Sequence, residues 1–184
     1  MMRDLRVVDG RWRSMEKTMP VGPSTVLFLC TGNSARSILA EAILNDPAIG
    51  QGRFRGVSAG SHPRGSVNPL ALEILREAGL PTADLRSKSW EEFGHPDSPP
   101  LDFVFTMCDD AAGETCPIWP GHPATAHWGL PDPAAVDGDD DARRRAFRDA
   151  YAVIRRRIAR FTALPFDTLD AAGLGGRLAE IGRS

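Results

Sequence analysis

The sequence is short of the features that would send the chain to a membrane, a secretory route or a nucleic acid. No apolar run approaches the roughly 18 residues that a membrane span requires. The first 24 residues lack the apolar core of about 7–15 residues that marks a secretory signal, and they mix both charge signs, which suits a transit peptide poorly. There is no excess of positive charge: the net charge is -2, which argues against a general nucleic-acid binder. These absences predict a soluble, cytoplasmic protein with no nucleic-acid and no membrane partner. Cysteine is also scarce. In such a compartment the three present, Cys30, Cys108 and Cys116, are expected as thiols, and any disulfide as transient or catalytic. His62, His95, His122 and His127 show no zinc-like spacing with them, so no metal is assigned.

What is present suits one α/β domain. The chain has 184 residues, 42% of them apolar, enough for a proper core. Residues 1–23 read as a polar, loosely ordered N-terminal extension ending in Pro20, Gly22 and Pro23. Residues 24–184 read as a single domain with a C-terminal helical tail. Within it, 24–30 (STVLFLC) is a short buried strand and 36–45 a helix stopped by Pro47. A weaker strand over 53–58 closes at Ala59-Gly60. A helix over 69–78 has Asn68 as N-cap, Pro69 at its first position and Gly79 behind it. A turn or short helix lies within 85–93, strands follow over 101–107 and 124–128, and 109–123 is loop. A long amphipathic helix spans 140–162, with Ala146, Phe147, Ala150, Tyr151, Ile154, Ile158 and Phe161 on its apolar face. Arg143–Arg145 and Arg155–Arg157 read as its solvated face. Strands alternating with helices predict a doubly wound, four-stranded parallel sheet flanked by helices.

The stretch VLFLCTGNSARS, residues 26–37, carries the chemistry. In open parallel sheets ligands sit beyond the carboxyl ends of the strands. Cys30 ends the first strand and Cys108 a later one, which places both on that edge. After Cys30, residues Thr31, Gly32, Asn33, Ser34 and Ala35 can turn successive backbone N–H groups inward. Such a nest, followed by a helix N-terminus, binds a tetrahedral oxyanion. Arg36 adds a planar fork for two of the anion's oxygens. Ser37 or Ser34 can donate a hydrogen bond to a Cys30 thiolate, and the positive field favours that thiolate. The result is a nucleophile beneath a bound oxyanion. An idle, buried strand-end cysteine is the plainer alternative, and the Cys-x5-Arg-Ser spacing at a strand-to-helix turn weighs against it.

Cys30-Thr31-Gly32-Asn33-Ser34-Ala35-Arg36-Ser37 resembles the phosphate-binding loop of the low-molecular-weight protein tyrosine phosphatases, and more closely that of the arsenate reductases built on the same fold. The likeness continues through Val57-Ser58-Ala59-Gly60, Asn68-Pro69 and the segment from His127 to Pro133, covering roughly residues 24–162. The resemblance implies two competing activities. In a phosphatase, Cys30 and Arg36 act with Asp132 as general acid, although Asp-Pro is also a common turn starter. In a reductase, the resemblance implies that Cys30 attacks arsenate, that Cys108 resolves the adduct, and that Cys116 carries the disulfide outward to an external thiol reductant, thioredoxin or alternatively glutathione. No tightly bound cofactor is implied.

Departures from the phosphatase pattern favour the reductase. Cys108 and Cys116, seven residues between them, serve no phosphatase purpose. Ala134 stands where phosphatases usually carry the tyrosine after Asp-Pro, and Ala35 where they carry a second loop cysteine. The gap from Cys108 to Cys116 is one residue longer than in the best-known thioredoxin-coupled members. Asn33 is expected to brace the loop, and His127 with Trp128 to pack under the segment bearing Asp132. Some reductases of this type bind potassium near the loop, and Asn33, Glu41, Ser58 and Ser89 look like the matching places. A non-enzymatic arsenic or redox sensor using the same thiols is the remaining reading; an intact oxyanion loop argues against it.

Overall fold

The computed structural model describes residues 4–8, 11–16, 22–95, 97–109, 111, 119 and 122–184. Near the N-terminus β1 (Asp4–Val8) and β2 (Arg11–Glu16) pair as an antiparallel ribbon. No strand before Ser24 is expected from the sequence, where residues 1–23 read as a loosely ordered extension. The signal that could have found this ribbon is Asp9-Gly10 between two β-prone runs, a favoured hairpin dipeptide.

From Ser24 onward the alternation of strand and helix holds. Four strands, β3 (Ser24–Cys30), β4 (Phe54–Gly60), β5 (Phe103–Thr106) and β6 (Ala124–His127), pair in parallel in the order β4-β3-β5-β6. The chain steps from β3 to β4 on one side, then crosses to β5 and β6 on the other. The carboxyl end of β3 therefore lies at the point where strand order reverses, where such sheets bind ligands.

β3 is buried on both faces, as its unbroken apolar run requires. Val26, Phe28 and Cys30 face a large core shared with α1 (Arg36–Leu44), α3 (Pro69–Glu77), α5 (Asp140–Thr162) and α6 (Ala171–Gly182). Leu27 and Leu29 face a smaller cluster with Ala59, Leu101, Val104 and Trp119, against which Trp90 and Phe93 also pack. Phe93 belongs to the short α4 (Glu91–Gly94), and the four-residue α2 (Pro47–Gly50) follows α1. Trp128, fully buried, stacks on Phe105 at 4.1 Å and 15° and donates its indole N–H to the Leu178 carbonyl, 3.0 Å away. Aromatic pairs of this kind add about 0.5–1.5 kcal/mol beyond the area they bury. They tie β5, the segment after β6 and α6 together behind the site.

One assignment is corrected. The apolar stripe of α5 packs as its periodicity predicts, but Arg157 is not on a solvated face. It is buried, and its guanidinium donates to the carbonyls of Trp128 (2.8 Å), Gly129 (3.2 Å) and Ser184 (3.1 Å). Helical period identifies which residues share a face but not what distant chain covers it. Here residues 128–129 and the C-terminus reach the arginine. Burial lowers its pKa from the ordinary arginine value, with Arg156 adding to the effect.

Candidate functional site

Cys30 closes β3 and Arg36 opens α1, so the five residues between them form the strand-to-helix turn. Cys30 is 3% exposed. Helices α2, α3, α5 and α6 have aspartate or asparagine side chains accepting from their first turns, whereas Ala35 gives α1 no side-chain cap. Asn33 takes the left-handed conformation, φ +40°, which asparagine tolerates better than most residues. Close approach of β4 completes the turn. A Cβ on Gly60 would lie 2.5 Å from the Thr31 carbonyl oxygen, so only glycine lets the loop sit there.

A hydrogen-bond chain lies under the loop. Asn33, fully buried, donates from Nδ2 to Ser37 Oγ (2.9 Å) and to Ser58 Oγ (2.8 Å). Its Oδ1 accepts the backbone N–H of Lys88 at 2.8 Å. Because Ser37 accepts from Asn33, its own proton is free for Cys30 Sγ, 2.9 Å away. Asn33 is thus wholly engaged in bracing the turn.

At the mouth, Arg36 Nη2 lies 3.2 Å from Asp132 Oδ2, and Nη1 donates to the Leu130 carbonyl at 3.1 Å. Asp132 Oδ1 also accepts from the Ala134 amide at 3.0 Å and caps the 3-10 turn Pro133–Ala135. Its two readings from the sequence, turn starter and site carboxylate, are therefore compatible. Cys108 follows β5, is 4% exposed and is a free thiol like Cys30. Its Sγ lies 3.5 Å from the Thr31 hydroxyl. Cys116 lies outside the described residues.

An open cleft of about 430 Å³ is lined by Arg36, Cys108, Asp109, His127, Gly129 and Asp132, among others. His127 differs from its expected place. Trp128 packs inside, but His127 turns outward, with Nδ1 2.8 Å from Thr106 Oγ1 and Nε2 3.0 Å from Asp109 Oδ1. Strand alternation, which sends neighbours to opposite faces, is the signal that separates the two. Among the described residues no group of three or more His, Cys, Asp or Glu side chains is placed to hold a metal ion. The places matched to potassium do not fit that ion either. Glu41 Oε2 already accepts from the Ser58 hydroxyl and pairs with the Lys88 ammonium at 3.2 Å, while Ser89 Oγ accepts from the Glu91 amide.

A four-stranded parallel sheet with Cys-x5-Arg at its switch point defines a class of protein, and comparison with known proteins agrees. A family model described as "Low molecular weight phosphotyrosine protein phosphatase" matches residues 25–172. The arsenate reductase of Bacillus licheniformis is 37% identical over 138 residues, which cover 74% of this chain and 94% of its own. That of Bacillus subtilis strain 168 is 32% identical over 136 residues, covering 74% and 93%. Among solved structures, the arsenate reductase from Archaeoglobus fulgidus superposes with a TM-score of 0.58 at 26% identity, covering 76% of this chain and 99% of that one. A thioredoxin-dependent arsenate reductase of Corynebacterium glutamicum gives a TM-score of 0.51 at 28% identity, covering 74% and 61%. The chain belongs to the low-molecular-weight phosphotyrosine protein phosphatase family, alongside relatives named arsenate reductases. No helix among the described residues is long and apolar enough to cross a membrane.

Proposed function

We propose that the protein is a cytoplasmic arsenate reductase that converts arsenate to arsenite through Cys30, Cys108 and Cys116, with an external dithiol of thioredoxin type as reductant. The observation that carries this reading is the second buried free thiol beside the oxyanion loop, Cys108 Sγ at 3.5 Å from Thr31 Oγ1. Hydrolysis has no use for it.

Arsenate sits over the turn from Thr31 to Ser37, its oxygens held by backbone N–H groups and the Arg36 fork. The Ser37 hydroxyl stabilises the Cys30 thiolate. Cys30 Sγ forms a bond to arsenic, and one arsenate oxygen leaves as water, Asp132 supplying a proton at the cleft mouth. The Cys108 thiolate then attacks Cys30 Sγ. A sulfur–sulfur bond forms and the sulfur–arsenic bond breaks. Its electron pair stays on arsenic, which falls from the +5 to the +3 state and leaves as arsenite. Cys116 attacks Cys108, releasing Cys30 as thiolate, and the dithiol reductant reduces the Cys108–Cys116 disulfide. Two electrons enter and two reach arsenic.

Cys30, Arg36 and Asp132 also suffice for phosphomonoester hydrolysis through a phosphocysteine, and the family description favours that as a second activity. The deciding experiment measures arsenite formed from arsenate with thioredoxin, thioredoxin reductase and NADPH, with glutathione in parallel. Wild type is compared with Cys30→Ser, Cys108→Ser and Cys116→Ser. Turnover lost in all three supports the relay. No arsenite with either donor, alongside hydrolysis of p-nitrophenyl phosphate, overturns it and leaves a phosphatase.

A further inference from the structure

We propose that Lys88 is a positioning residue whose ammonium serves as the built-in cation of the oxyanion loop, holding the chain of hydrogen bonds that ends on Cys30.

The chain has 22 basic residues. All but Lys17 and Lys88 are arginines, and the exposed ion pairs Arg86–Glu92 and Arg148–Glu77 follow that habit. Lys88 departs from it in a particular place. Its side chain is 6% exposed and that of its partner Glu41 12%, with Nζ 3.2 Å from Oε2. A compact ammonium fits a small, closed site that a planar guanidinium does not. The second acceptor of Nζ is the Arg86 carbonyl at 3.3 Å.

The pair is joined to the loop at both ends. Lys88 gives its backbone N–H to Asn33 Oδ1, and its carbonyl accepts from Gly60 N at 2.9 Å. From the side chain, Glu41 accepts from Ser58, Ser58 accepts from Asn33, Asn33 also donates to Ser37, and Ser37 meets Cys30 Sγ. Each hydroxyl has one proton. While Glu41 is an anion, Ser58 spends its proton on it and must accept from Asn33. That keeps the Asn33 amide facing both serines and leaves the Ser37 proton for the thiolate. Lys88 supplies the opposite charge to the buried Glu41 carboxylate. Without the ammonium that carboxylate loses its ion-pair partner, which loosens the order that presents Ser37 to Cys30. Other charges facing the pair are Arg86 and Glu92, which satisfy each other through two hydrogen bonds at the surface.

The inference rests on the oxyanion-loop reading of Cys30, not on arsenate as substrate, so its test does not use arsenate. The readout is the rate of Cys30 alkylation by iodoacetamide, with and without inorganic phosphate, in wild type, Lys88→Met and Lys88→Ala at constant ionic strength. Thermal unfolding is recorded for each. Both variants are expected to alkylate roughly 10- to 100-fold more slowly, by analogy with the loss seen when the hydrogen-bonding partner behind a metal ligand is removed. Lys88→Ala leaves a hole, and potassium or ammonium chloride restores much of its rate, whereas tetramethylammonium, too large to enter, does not. Wild type is indifferent to all three salts. Lys88→Met, with the hole filled, is not rescued. Alkylation at the wild-type rate in both folded variants overturns the proposal. So does a loss in Lys88→Ala that potassium and ammonium leave unchanged, since a lysine that only fills space is not replaced by a free cation. A phosphate-insensitive Cys30 in wild type points instead to failure of the loop reading.

Discussion

The Thr31 hydroxyl and the Cys108 thiol lie 3.5 Å apart, joining the residue after β3 to the residue two beyond β5. Adjacent parallel strands make this contact, since β3 and β5 pair from Val26–Phe103 through Leu29–Thr106. Cys108 is therefore held beside the turn that follows Cys30 by the sheet itself.

Replacing Cys108 with serine is expected to separate the two activities of the fold. Arsenite release with thioredoxin falls below detection, because oxygen cannot complete the disulfide step. Hydrolysis of p-nitrophenyl phosphate changes by less than about threefold, because the transition state for that reaction does not need Cys108. Parallel steady-state assays check it.

Asp132→Asn is expected to lower hydrolysis in a way that depends on the leaving group. General acids contribute about 10²–10⁴-fold. The loss should approach that range for phenyl phosphate, whose leaving oxygen needs a proton, and be smaller for p-nitrophenyl phosphate. The asparagine still accepts from the Ala134 amide as Asp132 does, so the turn is preserved. Equal losses for both substrates would assign Asp132 to binding through Arg36.

Gly60→Ala is expected to disturb the loop without touching a reactive group. Its Cβ would meet the Thr31 carbonyl at 2.5 Å and the Asn33 backbone nitrogen at 3.0 Å, both main-chain atoms that cannot swing aside. Overpacking of this kind costs about 1–3 kcal/mol. Thermal unfolding should report that cost, and phosphate affinity should fall with it.

Arg157→Met tests the corrected residue. Three carbonyls lose a charged donor, on Trp128, Gly129 and Ser184. Only the Trp128 bond is fully buried, the other two being part-exposed. An unsatisfied buried acceptor costs about 1–3 kcal/mol and the acceptors that water reaches cost less, so a loss of about 2–4 kcal/mol is expected by urea unfolding. Burial lowers the Arg157 pKa, which works against the charged form. The benefit therefore comes from its hydrogen bonds. A folded pKa below the unfolded one makes a base's contribution change only in the strongly alkaline range, so the variant's deficit should be flat from pH 6 to 9.

The turn from Cys30 to Ser37 was legible because its physics is local. An apolar run must end, a glycine and an asparagine permit the turn, and the periodicity of α1 begins at once. The long α5 was legible for the same reason, down to its ends at Asp140 and Thr162. Arg157, His127 and Lys88 were not, because their surroundings come from distant chain. Arg157 is buried by residues 128–129 and the C-terminus. His127 meets Asp109 across the cleft. Lys88 meets Glu41 across 47 residues of sequence. The scarcity of lysine was the one trace of the last that composition offered.

The most direct test of the account is a single turnover by the Cys116→Ser variant. Reduced protein is mixed with excess arsenate and no external thiol, quenched with a large excess of iodoacetamide in denaturant at neutral pH, and mapped by peptide mass spectrometry. The account predicts one arsenite per chain and a Cys30–Cys108 disulfide joining the peptides of the two strand ends. No arsenite, with Cys30 and Cys108 both recovered as alkylated thiols while p-nitrophenyl phosphate is still hydrolysed, would contradict it.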